Sequence, residues 1–189
     1  MPWSHPDCAR AAVVHAGDDN DDLARFTREV RAGALPNNPY LVIGQQSLVD
    51  PSRAPSGKHT LWCYSRVPSD LRGVGGDSSG WAAERERFAD RIEVRIEGLA
   101  PGFRKRIMAR RIAAPPDLEA TDENLIGGDL GGGSAQIGQQ LIFRPIFPYF
   151  RYRTPVAGLY LCSSYTHPGA GVHGACGRNA ATMVLRDVS

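Results

Sequence analysis

The 189-residue sequence predicts a mixed α/β (α+β) fold. Short runs of aromatic and β-branched residues alternate with longer segments whose apolar residues recur every three or four positions, which are the patterns of strands and helices. In residues 158–181 an apolar run leads through a glycine-dense turn into a further helical segment. We therefore expect a sheet-and-helix region followed by a C-terminal strand, turn and helix.

The first third of the chain predicts three strands and one helix. The strand-like runs cover residues 11–16, 40–44 and 59–67. A turn-forming segment joins the last two runs, so we expect them to be neighbours in one sheet. Asp18 or Asp19 is placed to cap a helix after the first run. Three residues form its apolar stripe: Leu23, Phe26 and Val30. We expect this helix at the surface.

The middle of the chain contains the most regular helical pattern. Residues 74–80 are rich in Gly and Ser and predict a flexible surface loop. A helix with one apolar stripe runs from Trp81 to Leu99, and we expect that stripe to pack against the sheet. Residues 106–114 predict another strand, and Pro116 opens a short helix, because proline loses no hydrogen bond in a first helical turn.

Composition argues against several classes of protein. The chain has 22 basic and 20 acidic residues, a net charge of +2, which is too balanced for the whole molecule to attract nucleic acid. Four cysteines form no C-x-x-C pair, so we expect neither a metal site nor a disulfide framework. No apolar run reaches about 18 residues, and the N-terminus lacks a signal-peptide pattern. We expect a cytoplasmic protein, with peripheral membrane contact as the alternative.

Three features leave alternatives open. Cys63 and Cys162 lie in strand-like runs, where a thiol is a small buried hydrophobe, whereas Cys176 follows the glycine turn and has either a structural or a redox role. Residues 127–140 are so rich in glycine that they form either a mobile loop or a loop over a ligand. Residues 143–155 mix aromatic rings with arginines, as binders of single strands do, but their prolines favour a packed connector.

The glycine-dense turn is the strongest candidate for a functional site. Four glycines, Gly169, Gly171, Gly174 and Gly177, have no side chain that would keep a ligand from the main chain. The helix that follows offers unpaired N–H groups at the positive end of its dipole. A complete dinucleotide-binding enzyme would also have a strand followed by G-x-G-x-x-G, and we find no such segment before the turn. We therefore expect the back half of an enzyme.

The run L-Y-L-C-S-S-Y-T-H-P-G-A-G-V-H-G resembles the C-terminal flavin-contact motif of the phytoene desaturase branch of FAD-dependent oxidoreductases. Residues 166–171 match the T-H-P-G-A-G turn of that motif, and the resemblance extends upstream over most of the chain. It implies a substrate-binding cap region in residues 1–153 and a flavin-contacting segment in residues 154–189. The N-terminal dinucleotide-binding half of the FAD-binding fold is expected to be missing.

The resemblance also implies FAD as the cofactor and a set of residues that contact it. These are Ser163, Ser164, Gly169, Ala170, Gly171, Val172 and Gly174. N–H groups of a helix beginning near Val172 would face the flavin carbonyl or pyrophosphate. The two serines either bind the ribityl chain or cap the end of the strand. His173 is the candidate catalytic residue, as a carrier of protons, with a structural role in the turn as the alternative.

The reaction that the resemblance implies is hydride transfer from a C–H bond of an apolar small molecule to FAD. The strands at residues 40–44 and 61–64 are candidate walls for that substrate. The partner would be the missing dinucleotide-binding half, in the same protein or as a separate chain. The alternative is a non-catalytic remnant or binding module, which associates with a partner chain through an exposed apolar face.

Overall fold

The structure is a computed structural model that describes residues 1–71 and 79–189. The chain divides into two compact units, residues 1–116 and residues 117–189. A three-stranded antiparallel sheet and, within the described residues, five α-helices confirm the mixed α/β prediction. The functional division expected at residues 153 and 154 stays a prediction.

The sheet of the first unit contains β1 (Val13–Ala16), β2 (Leu41–Gly44) and β3 (Trp62–Tyr64). β2 lies in the middle and pairs antiparallel with both neighbours, as the sequence predicted for β2 and β3. Leu41 and Ile43 of β2 are fully buried, whereas Val42 between them is only half-buried, which is the period of two that a strand imposes. β3 is shorter than the predicted run because only three of its residues pair with β2.

Helix α1 (Asn20–Arg31) begins where the sequence predicted. Asp19 is its N-cap, and the Asp19 carboxylate accepts a hydrogen bond from the N–H of Asp22 at 2.7 Å. Phe26 is buried as expected, but Leu23 is exposed, so the predicted stripe is narrower than the sequence suggested. A single turn, α2 (Gln46–Val49), follows β2.

Helix α3 (Ser79–Leu99) covers the sheet. Ile96 packs in one core cluster with Leu41 and Ile43, which confirms the predicted contact between this helix and the sheet. Of the predicted loop, residues 74–78 lie outside the described residues, and residues 79–80 already belong to α3. Within residues 1–71 and 79–189, no helix is both long enough and apolar enough to cross a bilayer.

The predicted strand at residues 106–114 is wrong. Arg104–Arg106 form a single 3-10 turn, and the residues after it pair with no strand in the described part of the chain. Arg110 instead donates hydrogen bonds to three carboxylates of α3, those of Glu86, Asp90 and Glu93. These ion pairs of Arg110 hold the segment along the helix.

The second unit has two helices, α4 (Pro115–Thr121), which begins at the border of the units, and α5 (Ala175–Val188). α4 confirms the predicted short helix and begins one residue before Pro116. α5 begins three residues after Val172, with Gly174 as its N-cap at φ 61°. The chain between the two helices forms turns, including three 3-10 turns at Ile126–Gly128, Ile137–Gln139 and Leu141–Phe143.

The strand expected at the start of residues 158–181 does not form. This segment makes one isolated bridge, between Arg153 and Tyr160, and Leu159 is 52% exposed. A strand needs a neighbour for its N–H and C=O groups, and the described residues provide none beyond that bridge. Cys162 is consequently exposed, which corrects the prediction of a buried thiol. Cys63 is partly buried, and desolvation raises the pKa of its thiol to about 12.

Three polar side chains tie the end of α5 to the bridge at Tyr160. Arg153 donates from Nε and Nη2 to the carboxylate of Asp187, at 2.7 and 2.5 Å. The hydroxyl of Tyr160 donates to the same carboxylate at 2.7 Å. These hydrogen bonds, that of Arg153 first, lower the pKa of Asp187 from 3.8 to about 2.

The low pKa of Asp187 predicts an acid-dependent loss of stability in the second unit. Because the folded-state pKa lies below the ordinary value, the stabilisation is complete above about pH 4 and is lost as the pH falls through about 2. An NMR titration of the Asp187 carboxyl should have its midpoint near 2 in the natural chain and nearer 3.8 in Arg153→Gln. Arg151→Gln, at an exposed arginine nearby, is the control. An unchanged midpoint in Arg153→Gln would contradict this account.

The packing of α3 on the sheet predicts a large effect for one substitution and a small one for its neighbour. Ile96 is 2% exposed, so Ile96→Ala leaves a cavity and lowers the free energy of unfolding by about 2–5 kcal/mol. Val94 lies on the same helix but is 57% exposed, so Val94→Ala changes it by about 0.5 kcal/mol or less. Urea denaturation measures both. Equal losses would show that α3 does not pack through Ile96.

Candidate functional site

A shallow depression of about 200 Å³ lies where the glycine turn meets the first residues of α5. Six of the predicted site residues line it: Ser164, Gly169, Ala170, Gly171, His173 and Gly174. Gly177, the fourth glycine predicted at the turn, and Cys176, whose role was left open, also line it, as do two residues that were not predicted, Cys162 and Ala175. The other two predicted residues, Ser163 and Val172, are exposed and do not line the depression. Most of the predicted set is thus brought together in one place.

The main chain of residues 170–174 has N–H groups that no described residue accepts. On either side of this segment, Gly169 donates its N–H to Thr166 O at 2.8 Å, and Ala175 donates its N–H to Nδ1 of His173 at 3.0 Å. Residues 170–174 themselves are exposed at the N-terminus of α5. Unpaired N–H groups and the helix dipole both favour negative charge at such a position. The depression is therefore suited to a ligand with hydrogen-bond acceptors or negative charge.

Two glycines of the turn lie too close to a neighbouring side chain to carry one of their own. Gly169 has φ 95°, which a residue with a side chain rarely adopts, and a Cβ there would lie 3.3 Å from the guanidinium carbon of Arg144. A Cβ at Gly171 would lie 2.6 Å from Cδ2 of His173. A side chain at position 169 would have to displace Arg144, and one at position 171 would have to displace the exposed ring of His173.

Local hydrogen bonds fix the turn that precedes the depression. Thr166 is fully buried, and both its N–H and its hydroxyl donate to Ser163 O, at 3.0 and 2.8 Å. The buried thiol of Cys176 lies 3.5 Å from the carbonyl oxygens of Thr166 and Gly169. Cys176 therefore has a structural contact with the turn, which is one of the two roles considered from the sequence.

Tyr152 connects the same turn to α5. Its hydroxyl donates to His167 O at 2.7 Å and accepts a hydrogen bond from Nδ2 of Asn179 at 2.8 Å. Tyr152 has φ 67°, a strained conformation for a residue with a side chain. Such strain persists only where the surroundings over-determine the backbone, so the turn and α5 are held together firmly.

The polar side chains predicted at the site differ in whether their hydrogen-bonding groups already bind the main chain. His173 caps the helix through Nδ1, so its neutral ring carries the proton on Nε2, and its predicted role in moving protons stays a prediction. The hydroxyl of Ser163 accepts the N–H of Tyr165 at 3.2 Å, which is the use as a turn cap. Ser164 lines the depression, and its hydroxyl, which lies next to Gly132, donates to no described residue.

Arg144 lies beneath the turn and was missed by the sequence analysis. It is 4% exposed. Its guanidinium donates to five main-chain carbonyl oxygens, those of Gly131, Gly132, Ser134, Gln139 and Ser164. No described carboxylate pairs with it. One feature of the sequence could have indicated an arginine that has no carboxylate partner: residues 130–186 include five arginines and no acidic residue.

Comparisons with known proteins identify relatives along the whole chain. No protein-family model matches it. It is 37% identical to the mouse pyridine nucleotide-disulfide oxidoreductase domain-containing protein 2 over 191 aligned positions, which cover 100% of the chain and 31% of that protein. It is 34% identical to a lycopene-forming phytoene desaturase of Paracoccus sp., over 74% of the chain and 27% of the enzyme.

A third relative is the 4,4'-diapolycopen-4-al dehydrogenase of Metabacillus indicus, at 29% identity over 86% of the chain and 31% of the enzyme. The chain thus spans about a third of the length of these proteins. Their names confirm the resemblance predicted from the T-H-P-G-A-G turn and its surroundings. The chain is therefore homologous to part of the oxidoreductases that include the phytoene desaturases and pyridine nucleotide-disulfide oxidoreductase domain-containing protein 2.

Proposed function

We propose that this chain is the flavin-contacting portion of an FAD-dependent oxidoreductase of the phytoene dehydrogenase-like group. The reaction would be hydride transfer from a C–H bond of an apolar substrate to flavin. The observation that carries the proposal is the row of unpaired N–H groups in residues 170–174, which face no acceptor within the described chain. Relatives named as a desaturase and a dehydrogenase support this class of reaction.

The residues at the depression fit one edge of a flavin cofactor. Exposed main chain at Gly171 would allow a flat ring or a phosphate to approach closely. The hydroxyl of Ser164 adds a donor without a partner in the described residues. None of the residues that line the depression carries a carboxylate that would repel negative charge on the ligand. FAD, when bound, supplies the acceptor for the hydride.

The contribution of the chain itself would be electrostatic and positional. The N–H groups of residues 170–174 would stabilise negative charge at the flavin carbonyl or pyrophosphate. Because the turn before them is fixed by Thr166, Cys176 and Tyr152, these donors would need little reorganisation. Ser164 would orient the ribityl chain. His173, whose neutral ring carries a proton on Nε2, would move a proton at the rim.

The site needs further parts that we propose lie outside this sequence. A dinucleotide-binding half, in the same protein or as a separate chain, would complete the FAD-binding fold. Trp62 and Tyr64 of β3 expose two rings with centroids 4.9 Å apart, so a substrate wall at residues 61–64 of the first unit stays a prediction. Leu41 and Ile43 are consumed by the core of the first unit, so they are not such walls. Cytoplasmic location and peripheral membrane contact stay predictions.

A binding module without catalysis is the second candidate. It is favoured by the large apolar side chains that the second unit exposes between α4 and α5. The most exposed include Ile126, Leu130, Ile137, Leu141, Ile146 and Phe147. Such side chains in one stretch are typical of a surface that a partner covers.

A flavin spectrum distinguishes the two candidates. The chain is purified alone and together with a chain that contains a strand followed by G-x-G-x-x-G. We expect the yellow absorption of bound flavin in the complex, because the depression supplies only part of the contacts. A stable colourless protein under both conditions would favour the binding module.

The accessible backbone at Gly171 predicts a specific loss of affinity. Gly171→Ala places a Cβ 2.6 Å from Cδ2 of His173, so the ring must move and the added methyl group occupies space beside the exposed main chain. We expect the affinity of the flavin-binding complex for FAD to fall by about tenfold or more in a fluorescence titration. Gly138→Ala is the matched control, because a Cβ there meets nothing within 4 Å. Equal affinities of the two variants would argue against a flavin at this turn.

A further inference from the structure

The glycine-rich segment before Arg144 is held between two opposite charges. The carboxylate of Asp129 accepts the N–H groups of Gly131 and Gly133, at 2.7 and 2.6 Å. From the other side, Nη2 of Arg144 donates to the carbonyl oxygens of Gly131 and Gly132, at 3.0 and 2.7 Å. The peptide group between Gly132 and Gly133 is therefore bonded to the carboxylate at its N–H and to the guanidinium at its C=O. The two charges interact through the backbone and not by direct contact.

The same guanidinium holds the turn on its opposite face. Nε and Nη2 of Arg144 donate to Ser164 O at 3.1 and 2.7 Å. The glycine segment also touches the turn directly, since a Cβ on Gly132 would lie 2.9 Å from the hydroxyl oxygen of Ser164 and 3.1 Å from the nitrogen of Tyr165. Arg144 therefore lies between two segments of backbone that are about 30 residues apart in sequence.

The chemistry of this contact requires arginine. A buried cation is costly unless hydrogen bonds replace its water. The planar guanidinium has five N–H donors, and here they meet five carbonyl oxygens. The ammonium group of lysine has three donors around a point and cannot match the same acceptors. Because every acceptor belongs to the main chain, the contact fixes backbone positions.

We infer that Arg144 is the positioning residue of the proposed flavin site. Its guanidinium fixes residues 164–169 against residues 131–133 and so sets the direction of the free N–H groups in residues 170–174. The glycine segment is then the support of the turn, which is neither of the two roles considered from the sequence. The part of this inference that concerns a flavin ligand rests on the proposed function. The part that concerns the position of the turn does not.

Amide hydrogen exchange of the full chain tests the inference without a ligand. In Arg144→Ala, the bonded N–H groups of Gly131, Gly133, Thr166 and Gly169 should exchange together, about tenfold faster or more. The N–H groups of residues 182–186, in the second half of α5, should stay within about twofold. Added methylguanidinium should restore slow exchange at the four sites, and methylammonium should not, because only the former has the planar set of donors.

Arg144→Lys keeps the positive charge and provides a second test in case Arg144→Ala fails to fold. We expect the same faster exchange at the four sites as in Arg144→Ala. The matched control is Arg151→Lys, at an exposed arginine that lies over the ring of Phe150, and it should leave exchange unchanged. Natural exchange rates in Arg144→Lys would overturn the inference. Equal acceleration of α5 and the four sites in both variants would also overturn it, since Arg144 would then support the whole unit.

Flavin binding separates this inference from the proposed function. In a complex that binds FAD, Arg144→Lys should weaken the affinity by about tenfold or more, whereas Arg151→Lys should not. If the natural chain binds no flavin alone or in a complex, the proposed function fails. The exchange pattern then still decides whether Arg144 positions the turn.

Discussion

Five main-chain carbonyl oxygens around one buried guanidinium connect the parts of the second unit that form the candidate site. The turn has its own bonds through Thr166, but these are local and do not place it relative to the glycine segment. Arg144 supplies that long-range connection. Hydrogen bonds from an ionised donor are stronger than neutral ones, especially away from water, so a single side chain can fix both segments.

The backbone that Arg144 fixes lies directly before the free N–H groups at the depression. Hydrogen-bond donors stabilise developing charge best when they are already in place, because no energy is then spent on turning them. Residues 170–174 have such donors, and the backbone behind them is fixed by Arg144, Tyr152 and Cys176. The first unit has its own core around Ile43 and Ile96.

The sequence was informative where the structure depends on local pattern. Residue spacing predicted the cap at Asp19, the burial of Phe26 and the apolar stripe of α3. The glycines of the turn predicted an accessible backbone. The sequence predicted strands at residues 106–114 and 158–164 that do not form. A strand needs a neighbouring strand for its N–H and C=O groups, and the sequence of a segment does not show whether such a neighbour exists. Arg144 was missed because its acceptors are main-chain carbonyls, which no side-chain pattern reveals.

The central claim is that the N–H groups of residues 170–174 face the cofactor. The most direct measurement is the change in their NMR resonances when FAD is added to the isotope-labelled chain in complex with a dinucleotide-binding half. We expect the N–H resonances of residues 170–174 to shift when FAD binds. The resonances of β1, in the core sheet of the first unit, should stay unchanged. Flavin binding that moves other resonances and leaves residues 170–174 unchanged would contradict it.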